Sequence, residues 1–444
     1  MSLADLATGA LTLVVFLTTL VVLVLVHELG HFIVARRFGV RIHEFGIGFP
    51  PRARVLGSDG ETIYTLNWLP LGGFVRLEGE DGGDRSDPRS FAAQPLWKRT
   101  VILAAGVVMN LLLAVAIMGG IAAFGDPTSA VRVNGAEPGS FAAAIGLRPG
   151  EAIEAVDGRR FLYFEGEEAI SYLHERLGRE VTLTVRRTDR TTEERQVQVP
   201  LGGLLLGEVQ ADSPAASIGL RRGDLIEAID GRRFRFFDSP DASAYLRARP
   251  GREVTLTVRR ADGSVEELRV RLRPADRIDA THGPLGVTWT VGELAIVPGA
   301  TTVGHDPVSA LRLGLDRTWR ALGLIVGALD TFARSVIADP TAPPPVAGPV
   351  GIAAQFADVI RDYPAVFIFW LAGLLSANLA LVNVLPLPPL DGGRIAVGLL
   401  QAAVGGRISV SAERLTYFIG FVLLMGFLLW VTIFDVLRAA GAGP

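Results

Sequence analysis

The chain has no cysteine in its 444 residues. That excludes disulfides and thiolate metal sites together, so any bound metal must be held by imidazole and carboxylate. Lysine is nearly absent as well: of 43 basic residues only Lys98 is not an arginine. There is no basic arm, and the formal net charge is -3, so nothing points to a nucleic-acid partner. Met1 to Val26 contains neither Lys nor Arg and no small-residue cleavage site ends it, so this apolar stretch reads as a retained span rather than a removable signal. Apolar residues are what the chain has in plenty. At 49% hydrophobic and a mean hydropathy of +0.37, it reads as a multispan membrane protein with a soluble part.

His27-Glu28-Leu29-Gly30-His31 interrupts that apolar background, following Leu11 to Val26 and running on into Phe32-Ile33-Val34. A helix turns 100° per residue, so His27 and His31 share a face and can reach one metal ion, with Glu28 beside them. In this H-E-x-x-H pattern two imidazoles hold Zn²⁺ and the carboxylate takes a proton from water. An ionisable residue in a span costs roughly 2.5–3.5 kcal/mol on insertion scales. A metal and a wet cleft offset that cost, whereas a chance pattern would not.

The first span, about Leu6 to Ala35, is followed at once by Arg36, Arg37 and Arg41, which places this end in the cytoplasm and the motif near that surface. Short β-type segments follow up to Glu80, with Gly57-Ser58-Asp59-Gly60 as a hairpin turn and Leu69 to Leu77 as a strand whose edge could pair with an extended peptide. Asp81 to Ser90 reads as a polar loop. The second span, about Trp97 to Phe124, carries Asn110, expected to make a packing hydrogen bond. Residues 128–275 contain a repeat at an offset of 73: Gly178 to Arg187 recurs unchanged from Gly251 to Arg260, and Asp157-Gly158 matches Asp230-Gly231. Val308 to Phe332 is amphipathic, with several arginines, and reads as a helix lying on the outer membrane surface. The third span, about Ala365 to Val384, ends in Asn383-Val384-Leu385-Pro386-Leu387-Pro388-Pro389-Leu390-Asp391-Gly392-Gly393-Arg394. Prolines break the helix there and free backbone groups at membrane depth. The span brings Asp391 to the depth of the histidines, as third ligand; the alternative is an ion pair with Arg394. A last span runs from about Leu415 to Leu437.

Together these pieces resemble the site-2 protease family of intramembrane zinc metalloproteases, in its bacterial branch with tandem PDZ domains. His27 to His31 is similar to the family's first motif, and Asn383 to Gly392 to its N-x-x-P-x-P-x-L-D-G motif. Pro70 to Val75 looks like its membrane-associated β-strand. The resemblance implies a multispan α-helical membrane protein of about four transmembrane helices, with a small membrane-associated β-region and two tandem PDZ-like α+β domains. The expected segments are 1–35 (first span), 36–95 (β-region and loop), 96–125 (second span), 126–200 and 201–276 (PDZ-like domains), 277–345 (amphipathic outer region), 346–394 (third span with its broken end), 395–413 (cytoplasmic loop) and 414–438 (fourth span). It implies one Zn²⁺ held by His27, His31 and Asp391, with Glu28 as catalytic base. Asn378, Asn383, Gly72, Gly73, Phe74 and Val75 would hold the substrate. Substrates would be single-span membrane proteins, such as a trimmed anti-sigma factor or signal-peptide remnants, in the bacterial inner membrane. The competing reading is a non-proteolytic membrane scaffold with peptide-binding modules and a structural zinc site. A closed structural site wants four protein ligands, and the sequence offers three.

Overall fold

Among the described residues, four helices are long and apolar enough to cross a membrane: Leu6–Arg37, Leu96–Gly125, Val366–Val384 and Ser411–Ala439. A helix satisfies its own backbone hydrogen bonds, which is what a hydrocarbon solvent demands. Even the shortest, of 19 residues, spans about 29 Å at 1.5 Å per residue, close to the thickness of a bilayer core. The computed structural model describes residues 3–440 except 81–85, 137–139, 166–167, 200–201, 236–237, 261, 280–281, 291–293, 339–343, 345 and 405–409. The chain divides into two units, Met1–Gly125 with Gly304–Pro444, and Asp126–Val303.

In the first unit, α1 (Leu3–Arg37) leads into β1 (Ile42–Ser58) and β2 (Ile63–Leu77), then α2 (Leu96–Gly125). Both strands fold back on themselves. Residues 73–77 pair with 42–47, which also pair with 63–66, which in turn pair with 54–58. Residues 73–77 therefore form an edge, and it faces α1: a Cβ on Gly73 would lie 2.9 Å from Leu25 Cδ2, and one on Gly72 3.0 Å from Val24 Cγ1. Helices α1 and α2 cross closely at Gly30, where a Cβ would come within 2.4 Å of the Ala105 carbonyl oxygen. Part of the polar loop expected after the strand, residues 81–85, lies outside the described residues.

The second unit holds the repeat. Its first copy contains β3 (Asp126–Val133), α3 (Phe141–Ala144), β4 (Ala152–Val156), β5 (Phe161–Leu162), α4 (Glu168–Glu175), β6 (Glu180–Arg186) and β7 (Thr192–Gln198). Its second contains β8 (Leu204–Val209), α5 (Pro214–Ser217), β9 (Leu225–Ile229), β10 (Arg232–Arg233), α6 (Ser239–Arg247), β11 (Glu253–Arg259) and β12 (Val265–Arg271). The copies share their local devices. Ser140 and Ser213 cap the short helices by accepting the N–H of Ala143 and Ala216. Asp157 and Asp230, both at positive φ, accept the N–H of Thr182 and Thr255 at 2.9 and 2.8 Å. Two strands beyond the expected boundary at 276 complete the sheets: β13 (Val287–Thr290) pairs with β8, and β14 (Leu294–Val303) pairs with β3. The sheet orders are β14-β3-β4-β6-β7 and β12-β11-β9-β8-β13. The amphipathic outer region expected over 277–345 thus supplies two sheet strands before its helix begins.

That helix, α7 (Pro307–Ala338), differs from the expectation of a helix lying flat on a surface. It runs antiparallel along α2: a Cβ on Gly304 would lie 3.3 Å from the Ala123 oxygen, one on Gly119 3.2 Å from that of Ala310, and one on Gly314 2.7 Å from that of Val115. Further along, Ala321 packs with Ala114 and Ala377. Small residues let the backbones approach, as in helix pairs within lipid. Two of its four arginines pair within the helix, Arg320 with Asp316 and Arg334 with Asp330. The proline run after it lies mostly outside the described residues. Next comes α8 (Pro349–Asp362), which has no counterpart in the sequence reading; its Phe356 packs on Phe16 of α1 at 5.7 Å between ring centroids. Then follow α9 (Val366–Val384), α10 (Asp391–Ala403) and α11 (Val410–Ala439). The segment 395–413, expected as a loop, is helical through Ala403.

Candidate metal centre

His27 and His31 lie one turn apart on α1, both buried, at 7% and 6% exposure. Their Nε2 atoms are 3.1 Å apart. Asp391, the first residue of α10, brings Oδ2 to 3.0 Å from His27 Nε2 and 3.3 Å from His31 Nε2. The backbone before it makes this approach possible. After α9 stops at Val384 the chain turns sharply, and a Cβ on Gly392 would lie 2.1 Å from the Val384 oxygen, one on Gly393 2.5 Å from that of Leu387. Both positions need glycine.

The fixed tautomers point the ring nitrogens the same way. His31 Nδ1–H donates to the Ile102 oxygen at 2.8 Å, leaving the Nε2 lone pair free. The Asn110 amide nitrogen sits 3.2 Å from His27 Nδ1; the two ends of an amide are interchangeable, and with its oxygen there it accepts from Nδ1–H and holds the second ring in the same tautomer. Asn110 is itself fixed by its neighbour, since the Ser376 hydroxyl donates to its backbone oxygen at 2.8 Å. Between the two contacts on α2 stands Gly106, where a Cβ would lie 2.6 Å from both His27 Cε1 and His31 Nε2.

Three donor atoms at 3.0 to 3.3 Å from one another match the edges, about 3.3–3.4 Å, of a tetrahedron of ligands set roughly 2.0–2.1 Å from a shared centre. Asp391 Oδ2 is buried with no hydrogen-bond partner, as an oxygen reserved for a cation is. Histidine nitrogen and carboxylate oxygen are the donor types zinc takes. Glu28 stands with the two histidines, its ligand atom within 4.8 Å of theirs. Its Oε2 accepts the Val75 N–H at 3.0 Å, so the edge of β2 touches the centre directly.

A sequence model of peptidase family M50 matches residues 15–427. The chain belongs to peptidase family M50, the site-2 protease family. Its curated relatives match along nearly their whole length. The regulator of sigma-E protease RseP of Salmonella typhimurium is 29% identical over 93% of this chain and 95% of its own. A putative zinc metalloprotease of Ralstonia nicotianae is 30% identical over 92% and 95%, and the zinc metalloprotease RasP of Oceanobacillus iheyensis 26% over 96% and 99%. Among solved structures, the PDZ domain of an SdrC-like protein from Listeria monocytogenes aligns with 21% of this chain and 94% of its own, at 29% identity and a TM-score of 0.18. As an M50 peptidase the chain is a metalloprotease of site-2 type.

The other residues singled out in the sequence fall at varying distances from this candidate centre. Gly72, Gly73, Phe74 and Val75 lie along the edge of β2 beside α1. Asn378 and Asn383 are half-buried on α9; among the described residues no hydrogen bond joins either to His27, Glu28, His31 or Asp391. Arg394 pairs with Glu80 rather than with Asp391. Sequence reading gave Asn110 only a packing role, and it missed Gly106 and the Ile102 carbonyl. The span has small residues at several other places, among them Ala114, Gly119 and Gly120, so Gly106 does not stand out in the sequence.

Proposed function

We propose that His27, His31 and Asp391 hold one zinc ion and that Glu28 is the general base for hydrolysis of a peptide bond in a membrane-spanning substrate. The convergence of the three donor atoms beside Glu28 carries this reading. Three protein ligands leave a tetrahedral position open, as a catalytic site requires. When bound, zinc supplies Lewis acidity and lowers the pKa of a water towards about 7. Glu28 takes the proton of the attacking water on the carboxylate oxygen that Val75 does not hold, and passes it to the leaving amine. His27 and His31 keep their Nε2 lone pairs directed at the site because Asn110 and Ile102 fix the other ring nitrogens.

A helical substrate hides its peptide bonds and must be extended before attack. The 73–77 edge of β2 offers backbone groups for an unwound segment to pair with, and Asn378 and Asn383 would steady it. The sheets of 126–303 are two tandem PDZ-like domains that screen substrates by the size of their outer part. With Arg36, Arg37 and Arg41 cytoplasmic, the catalytic end faces the cytoplasm and the repeats lie outside the inner membrane. Relatives named as regulators of sigma-E point to a trimmed anti-sigma factor or a similar single-span regulator as substrate.

The test is Glu28→Gln in detergent-purified protein. Zinc content should stay at wild-type level while cleavage of a single-span substrate falls at least about a thousandfold, since proton transfer is lost together with the charge that drives it. Undiminished cleavage would overturn the assignment, and loss of zinc would make Glu28 a ligand instead.

A further inference from the structure

Glu80 lies just beyond the end of β2, and Arg394 lies in the first turn of α10, 314 residues later. Neither is part of the His27, Glu28, His31 and Asp391 group. Arg394 Nη1 donates to Glu80 Oε1, and Glu80 Oε2 accepts the Leu77 N–H at 3.3 Å. Both ends of this ion pair are thus tied to the centre. Leu77 is two residues from Val75, and alternate residues of a strand direct their N–H groups to the same side. One outward N–H of the edge is therefore held by Glu28 and the next by Glu80. At the other end Arg394 is three residues from Asp391, about one helical turn.

Ile395, beside Arg394, packs against the cluster that includes Val75 and Leu77 of β2, an apolar contact that carries no direction, whereas the ion pair does. Gly392 and Gly393 have no side chains and press against the backbone of Val384 and Leu387. Behind Arg394 stands the Tyr417 ring of α11, 5.7 Å from the guanidinium. The Tyr417 hydroxyl donates to Glu413 Oε1 at 3.0 Å, and Gln401 Nε2 donates to Glu413 Oε2 at 2.8 Å. Arg394 is thereby backed on one side by the last span and drawn on the other towards β2.

We propose that Glu80 and Arg394 are positioning residues whose ion pair sets the spacing between the edge strand of β2 and the first turn of α10. That spacing keeps the Asp391 carboxylate aligned with the imidazoles while Glu28 stays held against the edge of β2. The inference rests on the protease reading of the centre.

It is tested by a double-mutant cycle in the full-length, detergent-purified protein, with Glu80→Gln, Arg394→Gln and both together. Three quantities are read: kcat and KM on a single-span substrate, the chelator concentration that strips half the bound zinc, and the thermal midpoint. Each single change should lower kcat about tenfold or more and make zinc about tenfold easier to strip, with KM and the midpoint little altered, because Arg394 lies one helical turn from Asp391 and its displacement shifts that carboxylate. The double variant should be no worse than either single, because the two act as one unit. Arg394→Lys, which keeps the charge, should recover to within about threefold of wild type. Singles that match wild type in zinc retention, or losses that multiply in the double, overturn the proposal. If the glutamine variants do not fold, Glu80→Ala and Arg394→Met form the same cycle and are judged by the same rule. A wild-type protein that binds zinc but cleaves nothing would sink the protease reading instead, and the zinc-retention cycle would still decide the pair.

Discussion

Gly106 contributes no atoms to the metal centre, yet the centre depends on it. Any side chain there would enter the space of both imidazoles, at 2.6 Å from His27 Cε1 and His31 Nε2. Because backbone of α2 lies on one side and the two rings on the other, Gly106→Val should make zinc about ten- to a hundredfold easier to strip, with the chain still folded. Unchanged zinc retention by chelator titration would show that the rings have room to move. Asn110→Leu removes only the partner of His27 Nδ1 and should cost less, about tenfold, by the same assay. These residues also mark how far sequence reaches. His27 and His31 share a face because helical periodicity is local, so their relation is legible four residues apart. Val75 to Glu28 and Ile102 to His31 are contacts of backbone groups across 47 and 71 residues, and a backbone N–H or C=O leaves no mark on the identity of its residue.

Among the elements, β2 and α7 bear most directly on the site. If substrate pairs with the 73–77 edge, Val75→Pro removes one N–H from that edge and also releases Glu28. Cleavage should fall about a hundredfold with zinc content intact, and wild-type turnover would count against strand pairing. For α7, Gly314→Leu forces a side chain against the Val115 oxygen and Gly119 and should destabilise the protein by about 1–3 kcal/mol, read as a lowered denaturation midpoint. An unshifted midpoint would mean that α7 does not pack on α2. The arginines of α7 argued for a helix at the membrane surface, and they misled for a physical reason. Arg320 and Arg334 each pair with an aspartate one turn earlier, so much of the charge is satisfied within the helix, while Ala310, Gly314 and Ala321 form the seam. Hydropathy summed over a window sees the charges but not their pairing. The apolar spans were legible because length and composition alone identify them; α8 and α10 are short and amphipathic and carry no such signature.

Over the whole molecule, the repeat was legible because ten identical residues recur at a fixed offset, but its true end was not, because β13 and β14 lie outside the repeated sequence. This alters how the unit of residues 126–303 should be removed. Cutting at 128 and 275 would leave both strands without partners, whereas Gly125 and Gly304 bound the unit cleanly. His305 N–H donates to the Ala122 oxygen at 3.0 Å, so the two ends of the membrane unit already meet and a short Gly/Ser linker can join them. The protein lacking 126–303 should cleave substrates that still carry their outer domain, at about the wild-type rate for trimmed ones. Continued dependence on a first cut, measured with trimmed and untrimmed substrate side by side, would remove size screening from the outer unit.

The strand that closes the first repeat is synthesised after the second. Asp126–Val133 forms only part of its ladder until Leu294–Val303 arrives, where Glu154 accepts the Ala300 N–H and Thr128 donates to the Thr301 oxygen. A ribosome that has delivered the first copy has therefore made a sheet with one side still open, and must translate the entire second copy before it can be sealed. The order of completion thus reverses the order of synthesis: the second sheet has its last strand by Thr290, and the first only by Val303.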